Sequence, residues 1–349
     1  MTGHDGRRGI RIEPARGTRV ECFAGFWAAM SEIVSLILPL FGLMLLGYGA
    51  GRFRYVSAET VGGLNFLVFY LALPALFFTS IVEAPAVASG AWAFVVTTTF
   101  ATYCAFAIAF SIGALINRGN VPEATIQGLA GSYANIAYLA PALTIAAFGS
   151  AAAVPTALVF SFDNAMLFTL TPLMMALGGT VRTNPARLAE EIARNVLLHP
   201  IVIATIAGLV VAASGLKPPA AIDALLTLLA NAAAPCALFA IGVALSARPM
   251  GEVPVEMPAT IAVKLVMHPL IVYLLLSWIG GFDPVWVHTA VLLAALPPAM
   301  NVLALAQQYA VYAERASSTI LLATAISVAT VTVTLILLLN NILPSNPFR

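Results

Sequence analysis

The sequence predicts an all-α polytopic membrane protein in which ten transmembrane helices form two inverted five-helix repeats. Three observations predict this class. Hydrophobic residues make up 61% of the 349 residues and charged residues only 9%, which is far from the composition of soluble domains. Apolar runs long enough to cross a hydrocarbon core of roughly 30 Å recur along the whole chain. Two of these runs, one in each half, are interrupted by proline next to asparagine.

Hydropathy divides the chain into ten expected spans and three connecting or terminal regions. The spans are 32–51, 60–82, 91–116, 124–148, 154–178, 199–214, 220–245, 257–279, 285–309 and 317–339. The predicted organisation is an N-terminal tail at 1–31, a first repeat at 32–178, a cytoplasmic amphipathic linker at 179–198, a second repeat at 199–339 and a C-terminal tail at 340–349.

The two halves resemble each other. Ala-Leu-Pro-Ala-Leu-Phe-Phe at 72–78 in the second span matches Ala-Ala-Pro-Cys-Ala-Leu-Phe at 233–239 in the seventh. The interrupted fourth and ninth spans match in order as well. Because five crossings leave the second copy starting on the other side of the bilayer, the repeats must be inverted.

The interruptions read Asn-Ile-Ala-Tyr-Leu-Ala-Pro at 135–141 and Pro-Pro-Ala-Met-Asn at 297–301. Proline removes a backbone donor and clashes with the preceding turn, so each helix should break inside the bilayer. Freed backbone groups are tolerated there only around a protein-lined cavity. Half-helices beginning after Pro141 and Pro298 would point N–H groups and positive dipole ends at that cavity, which favours a carboxylate.

The side chains around the breaks leave alternatives open. Asn135 and Asn301 either contact a ligand or satisfy the freed carbonyls. Tyr138 either lines the cavity or packs where the two interrupted helices cross. Asn65 and Asn231 precede the helix prolines of the second and seventh spans and either face the cavity or serve helix packing. With Pro141, Pro297 and Pro298, these residues form the expected substrate site.

Asp163, followed by Asn164, and Lys264 lie deep in predicted spans, where an unpaired charge is costly. One interpretation is a structural ion pair, or a Lys264 side chain that reaches an interface. In the other, Asp163 is a proton-coupling carboxylate and Lys264 is a counter-charge that attracts the anion or replaces a coupling cation.

Arginine placement predicts the orientation. The odd-numbered connections hold eight arginines, whereas the even-numbered connections and the C-terminal tail hold only Lys217 and Arg349; the eight are Arg52, Arg54, Arg118, Arg182, Arg187, Arg194, Arg248 and Arg315. The odd connections should therefore be cytoplasmic, with both termini outside, in the cell inner membrane. The arginine-rich N-terminal tail opposes this rule, and we expect translation to begin at Met30, with the upstream residues disordered or extraneous.

The sequence contains no motif that indicates another class of function. Cys22, Cys104 and Cys236 are widely separated, and His199 and His268 have no ligand at metal spacing, so no metal or cofactor is expected. The sequence lacks HExxH, GxSxG and GxxxxGK, which argues against an enzyme and against ATP-driven transport. The arginines form no basic stripe with aromatics, so no nucleic acid is expected. Gly47 and Gly51 form a small-xxx-small pair for close packing or a homodimer contact.

The sequence resembles the auxin efflux carrier family in several motifs. The matching features are Ile-Val-Ser-Leu-Ile-Leu-Pro at 33–39, the break at 135–141, Leu-Pro-Pro-Ala-Met-Asn at 296–301 running to Tyr309, and the ten spans. Alanine stands at Ala137 and Ala140 where the family usually has glycine, which bears on the width of the crossing.

The resemblance implies a fold with crossed fourth and ninth helices and a secondary transporter of small organic anions. The expected substrates are mono- or dicarboxylates, malonate-like or auxin-like, moved by alternating access, with H⁺ or Na⁺ as candidate coupling ions. A sodium-coupled symporter of the bile-acid type is the alternative, followed by a channel or membrane receptor. Apart from the substrate and ion, the lipid bilayer is the expected partner.

Overall fold

A computed structural model describes residues 35, 38–83, 90–180, 184–247, 253–340, 342–345 and 347. Within this part of the chain every regular element is a helix, apart from one isolated β-bridge. The predicted N-terminal tail, including Met30, lies outside the described residues.

Thirteen helices follow one another in the described ranges. They are α1 (38–52), α2 (Ala58–Phe66, a π-helical segment Leu67–Ala72, and Leu73–Glu83), α3 (Ala91–Ile116), α4 (Val121–Ser132), α5 (Ile136–Phe148), α6 (Ala153–Leu177, after the 3₁₀ turn Ser150–Ala152), α7 (Pro185–Leu197), α8 (Pro200–Ser214), α9 (Ala220–Ser246), α10 (Met257–Ala262, a π-helical segment Val263–Met267, and His268–Ile279), α11 (Pro284–Ala295), α12 (Met300–Gln308) and α13 (Ala313–Leu339).

Six helices of the described part are long and apolar enough to cross a bilayer, as a polytopic membrane protein requires. They are Thr60–Glu83, Ala91–Ile116, Ser150–Leu177, Ala220–Ser246, Met257–Ile279 and Ala313–Leu339. Counting α7 and α8 as one span, bent by 56°, would give a seventh. The other predicted spans correspond to α1, α8 and the pairs α4–α5 and α11–α12, which are shorter. The ten-span count and the inverted repeat therefore stay predictions.

The fourth predicted span breaks at a different place from the one expected. Pro141 lies inside α5, and the break falls at residues 133–135, so the prediction of a half-helix beginning after Pro141 is wrong. The missing N–H of Pro141 costs the helix one bond to the carbonyl of Ala137. Residues 133–135 instead have hydrogen-bond partners on another segment, which sequence spacing does not reveal.

A first group of helices packs around α9. α2 lies against α8 and α9, and α1 approaches α9 through glycines. A Cβ atom on Gly242 would lie 2.0 Å from the Met44 carbonyl oxygen, and one on Gly47 would lie 2.2 Å from that of Phe239. The small-residue pair of Gly47 and Gly51 therefore serves close packing within the chain.

A second group surrounds the broken helices. α3 packs along α4 and against α10, α10 packs on α11, and α6 contacts α4 and α5. The two groups meet where α9 touches α5 and where α2 touches α6.

The π-helical segments of α2 and α10 both end one residue before an X-Pro step, at Leu73-Pro74 and His268-Pro269. In α10 the N–H of His268 bonds to the carbonyl of Val263, five residues back. Widening the turn in this way accommodates a proline ring that would otherwise press on the preceding turn. It also puts Lys264 and His268 on the buried side of α10.

Candidate functional site

The two breaks cross and bond to each other. Ala134 and Pro298 form an antiparallel β-bridge. The N–H of Asn135 donates to the carbonyl of Pro297 at 2.8 Å, and the N–H of Ala299 donates to the carbonyl of Tyr133 at 3.2 Å. We call residues 133–135 and 296–299 the crossing. Pairing across the crossing satisfies backbone groups that the interrupted helices leave open.

Two helices begin at the crossing. α5 starts after Asn135 and α12 after Ala299, and neither N-cap residue makes a side-chain capping bond. The N-terminus of a helix carries free N–H groups and about half a positive charge. Two such ends at one place, deep in an apolar protein, form an environment that favours an anion.

Asn135 is the least satisfied polar side chain of the crossing. It is 1% exposed, and both its amide oxygen and its amide nitrogen lack a hydrogen-bond partner. Leaving a buried polar group unpaired costs about 1–3 kcal/mol. Of the two roles that the sequence left open, the side chain does not satisfy a freed carbonyl, so its amide is available to a ligand.

Asn301, which is half-buried, begins a chain of polar side chains. It interacts with the Tyr133 side chain, whose hydroxyl donates to Asn164 Oδ1 at 2.9 Å. This chain joins α12, the crossing and α6. It ends at Asn164, the residue next to Asp163.

A cavity of about 440 Å³ lies between α2, α6, α8 and α12, and we call it the amide cavity. Its lining combines amide, imidazole and aromatic groups, namely Gly62, Asn65, Phe66, Phe69, Tyr70, Leu167, Phe168, His199, Pro200, Asn301, Ala304, Leu305 and Gln308. Its volume lies within the usual range for a small-molecule site.

The structure brings some of the expected residues to the amide cavity and not others. Asn65 and Asn301 line it. Tyr138 is not in the lining, but it donates to Asn65 Oδ1 at 3.0 Å and packs edge-on against Phe69. It therefore holds two lining residues in position. Asn231 is exposed on α9 and does not line the cavity.

The buried ionisable groups are joined through two side chains that the sequence analysis did not assign to them. Thr102 Oγ1 lies 3.2 Å from Asp163 Oδ1 and 3.3 Å from His268 Nε2. Lys264 Nζ lies 3.1 Å from His268 Nδ1 and donates to the carbonyl of Ala294 at 2.6 Å. We call Asp163, Thr102, His268 and Lys264 the Asp163 network.

The direct ion pair considered from the sequence is not what the structure shows. The ion pairs among the described residues involve Arg315, and none joins Asp163 to Lys264. Lys264 instead donates a hydrogen bond to a carbonyl in the last turn of α11. This turn is the negative end of a half-helix that stops at the crossing. Lys264 does not reach an interface, because it is 0% exposed.

The Asp163 network adjoins the crossing. Asp163, Thr102 and His268 line a small space together with Ala134 and Ile136, and its volume of about 10 Å³ holds no more than about one water molecule. Among the residues that the structure describes, no group of three or more His, Cys, Asp or Glu side chains could hold a metal ion.

A second polar cluster joins three helix starts. Glu256, which is buried, accepts a hydrogen bond from the Tyr312 hydroxyl at 2.6 Å and one from Arg315 at 3.4 Å. Arg315 also lies 3.8 Å from Glu123. Burial, followed by the hydrogen bond to Glu256, raises the pKa of the Tyr312 hydroxyl, which keeps it a neutral donor. The cluster ties the start of α4 to α10 and α13.

Broken helices that meet at a buried polar site within a polytopic helical protein are typical of membrane transport proteins. The family model described as "Membrane transport protein" matches residues 32–335. The chain therefore belongs to this membrane transport family, and the resemblance to the auxin efflux carriers is confirmed.

Two relatives illustrate the similarity. The chain is 47% identical over 319 residues to a protein of Rhizobium meliloti (strain 1021) named "Putative malonate transporter", covering 91% of this chain and 100% of that one. It is 30% identical over 285 residues to "Uncharacterized transporter YfdV" of Escherichia coli (strain K12), covering 79% of this chain and 88% of the relative.

Proposed function

We propose that this protein is a secondary transporter that moves small organic anions across the cell inner membrane by alternating access. The observation that carries the proposal is the crossing, where the N-terminal ends of α5 and α12 meet beside the unpartnered amide of Asn135. Helix N-termini and amide donors can bind a carboxylate without a buried arginine.

The amide cavity supports a route to the crossing. Asn301 lines the cavity and lies in the first turn of α12, so the cavity reaches one of the two helix ends. Its amides suit a carboxylate, and its aromatic side chains suit the apolar part of an organic anion.

The positions of the loops support the ten-span inverted topology. Gly62, His199 and Gln308 lie near the first, fifth and ninth connections, and all three line the amide cavity. Glu123, Glu256 and Arg315 lie at the third, seventh and ninth connections and form one cluster. A common end for all five odd connections is what two inverted five-span repeats require. With arginines marking the cytoplasmic side, the amide cavity opens to the cytoplasm.

The Rhizobium relative suggests which substrate to test first. Its name refers to malonate, and we extend that class, small dicarboxylates, to this chain. Monocarboxylates, including auxin-like aromatic acids, are the second class, since Phe66, Phe69 and Phe168 line the amide cavity.

Proton coupling is favoured over sodium coupling by the position of Lys264. A sodium ion at a crossing would need freed carbonyls, and the Lys264 ammonium already bonds the carbonyl of Ala294 at the end of α11. Asp163 then remains as the carboxylate that can bind and release a proton during the cycle.

Uptake of labelled malonate into proteoliposomes tests the proposal. We expect saturable uptake that accumulates substrate on an imposed pH gradient, with no further gain from a sodium gradient. Accumulation on sodium alone would select the sodium symporter. Large unitary currents in planar bilayers, without saturable exchange, would select a channel.

A further inference from the structure

We propose that Thr102 and His268 form a proton relay that connects Lys264 to Asp163. This inference rests on the proposed proton coupling and assigns a route to it. It stands on four buried side chains from three helices, arranged so that each lies within hydrogen-bond distance of the next.

With Lys264 as an ammonium, the donors and acceptors of the Asp163 network run in one direction. The Lys264 ammonium has no lone pair, so it donates to His268 Nδ1. His268 then carries its own proton on Nε2 and donates it to Thr102 Oγ1. The Thr102 hydroxyl in turn donates to Asp163 Oδ1. Every link therefore has one donor and one acceptor.

A single shift along these links balances. Lys264 Nζ gives a proton to His268 Nδ1, His268 Nε2 gives its proton to Thr102 Oγ1, and the former hydroxyl proton of Thr102 goes to Asp163 Oδ1. Lysine becomes a neutral amine, histidine changes tautomer, the threonine hydroxyl is restored and the aspartate becomes a neutral acid. One proton moves, and the total charge of the Asp163 network does not change.

Thr102 can also interrupt the relay. Its hydroxyl lies 3.2 Å from Asp163 Oδ1 and also 3.2 Å from the carbonyl of Thr98, one turn back on α3. A hydroxyl has a single proton, so it donates to one of these acceptors at a time. Rotation of one side chain therefore connects or disconnects Asp163.

Few other titratable groups lie near Asp163. The titratable groups that face Asp163 are Tyr103 from α3, Tyr133 from the crossing, and Lys264 and His268 from α10. The side chains of the Asp163 network are nearly inaccessible to solvent. Protons that reach Lys264 or Asp163 in this conformation therefore pass through neighbouring side chains.

The relay acts on the crossing through Lys264. As an ammonium, Lys264 makes a charge-assisted bond to the carbonyl of Ala294, which is stronger than a neutral one. After the shift the neutral amine holds the end of α11 less firmly. The position of the proton thereby changes how tightly one side of the crossing is fixed.

Substitutions at Thr102 test the relay. Thr102→Ser keeps the hydroxyl, and Thr102→Val removes it with little change in shape. Thr324→Val is the matched control, because Thr324 is a buried threonine on α13 whose hydroxyl bonds only the carbonyl of Ile320. Malonate accumulation on a pH gradient, malonate exchange at equal concentrations and thermal stability are measured for each variant.

We expect Thr102→Val to reduce the rate of pH-driven accumulation about a hundredfold, the low end for a lost proton-transfer group. Thr102→Ser and Thr324→Val should accumulate malonate nearly as the parent does. An equal fall of accumulation, exchange and stability in Thr102→Val would show a structural role, and accumulation equal to that of Thr102→Ser would also overturn the relay. His268→Gln, which keeps a donor and an acceptor but has no tautomers, should behave like Thr102→Val.

A spectroscopic measurement separates the relay from the transport proposal. The infrared band of protonated Asp163 is identified by its loss in Asp163→Asn. In the parent and in Thr102→Ser, this band should change with pH together with the ¹⁵N signals of His268. In Thr102→Val the two should change independently. If the parent shows this linked change but no pH-driven accumulation, only the transport proposal fails. If the parent shows no linked change, the relay fails.

Discussion

The main-chain N–H of Asn135 donates to the carbonyl oxygen of Pro297 at 2.8 Å, so each interrupted helix supplies a partner for the break in the other. Proline cannot donate, but its carbonyl accepts, and this explains how two prolines are accommodated at a deep crossing. The backbone of Asn135 is used for structure, and its side chain has no partner. This division of roles leads to the first prediction.

Asn135→Ala should weaken malonate binding while leaving the protein folded. The substitution leaves no protein group without a partner, because the Asn135 amide bonds to none. Loss of one amide contact to a carboxylate should raise the dissociation constant about tenfold, as expected for a hydrogen bond to a charged group. Thermal-shift titration with malonate measures both the stability and the affinity.

Asn231→Ala provides the matched control, because Asn231 is exposed on α9 away from the amide cavity. It should bind malonate as the parent does. Unchanged affinity in Asn135→Ala would count against a substrate site at the crossing. Equal losses in both variants would show that asparagine substitutions act through stability alone.

Gly242→Ala should destabilise the protein strongly. The new methyl group would lie 2.0 Å from the carbonyl oxygen of Met44, so α1 and α9 would have to separate. Overpacking of this kind costs about 1–3 kcal/mol. We expect a clearly lower melting temperature in detergent, measured by intrinsic fluorescence.

Gly49→Ala serves as the comparison on α1, since a Cβ atom on Gly49 meets nothing within 4 Å. It should melt at or slightly above the temperature of the parent, because alanine favours a helix over glycine. If Gly242→Ala also melts like the parent, the close approach of α1 and α9 is not required for folding.

The sequence predicted elements whose signals are local. The third and eighth spans agree residue for residue with Ala91–Ile116 and Met257–Ile279, because their apolar runs are long and flanked by clear turns. The sequence predicts the first break at Pro141 rather than at 133–135, because the hydrogen-bond partners of 133–135 lie on residues 296–299. Spacing along one helix carries no information about a hydrogen bond to another.

The same reason hides the Asp163 network. Thr102 is 61 residues from Asp163 and 166 from His268, and threonine is common in apolar helices. One local signal was present, since Lys264 and His268 are four residues apart and share a helix face. From the sequence alone, His268 is a candidate only for a metal site.

Cysteine labelling should place α7 in the cytoplasm. In a protein with its native cysteines replaced by serine, Arg187→Cys should react with a membrane-impermeant maleimide only from the cytoplasmic side. Arg187 is exposed on α7, which lies within the fifth connection. Retention of arginine on the cytoplasmic side is the physical reason.

Lys217→Cys reports the opposite side, since Lys217 is exposed between α8 and α9. It should be labelled only from outside. Reversed labelling of the two positions would invert the orientation, and labelling of both from one side would contradict a membrane crossing by α8.

The last prediction concerns the two charges of the Asp163 network. Asp163→Asn should abolish malonate accumulation on a pH gradient while sparing exchange at equal concentrations, because the amide still accepts the Thr102 bond but binds no proton. Lys264→Met should destabilise the protein by about 1–3 kcal/mol, since it leaves the buried Ala294 carbonyl without its donor, and it also removes the buried positive charge that balances Asp163 within the network.

Combining the two substitutions tests whether the charges depend on each other although no direct ion pair joins them. The double variant Asp163→Asn with Lys264→Met should melt higher than Lys264→Met alone, because no unpaired buried charge remains. Additive melting losses would show that the network does not couple the two charges. Normal pH-driven accumulation in Asp163→Asn would exclude Asp163 as the coupling residue, and a uniporter or a sodium-linked carrier would then explain transport better.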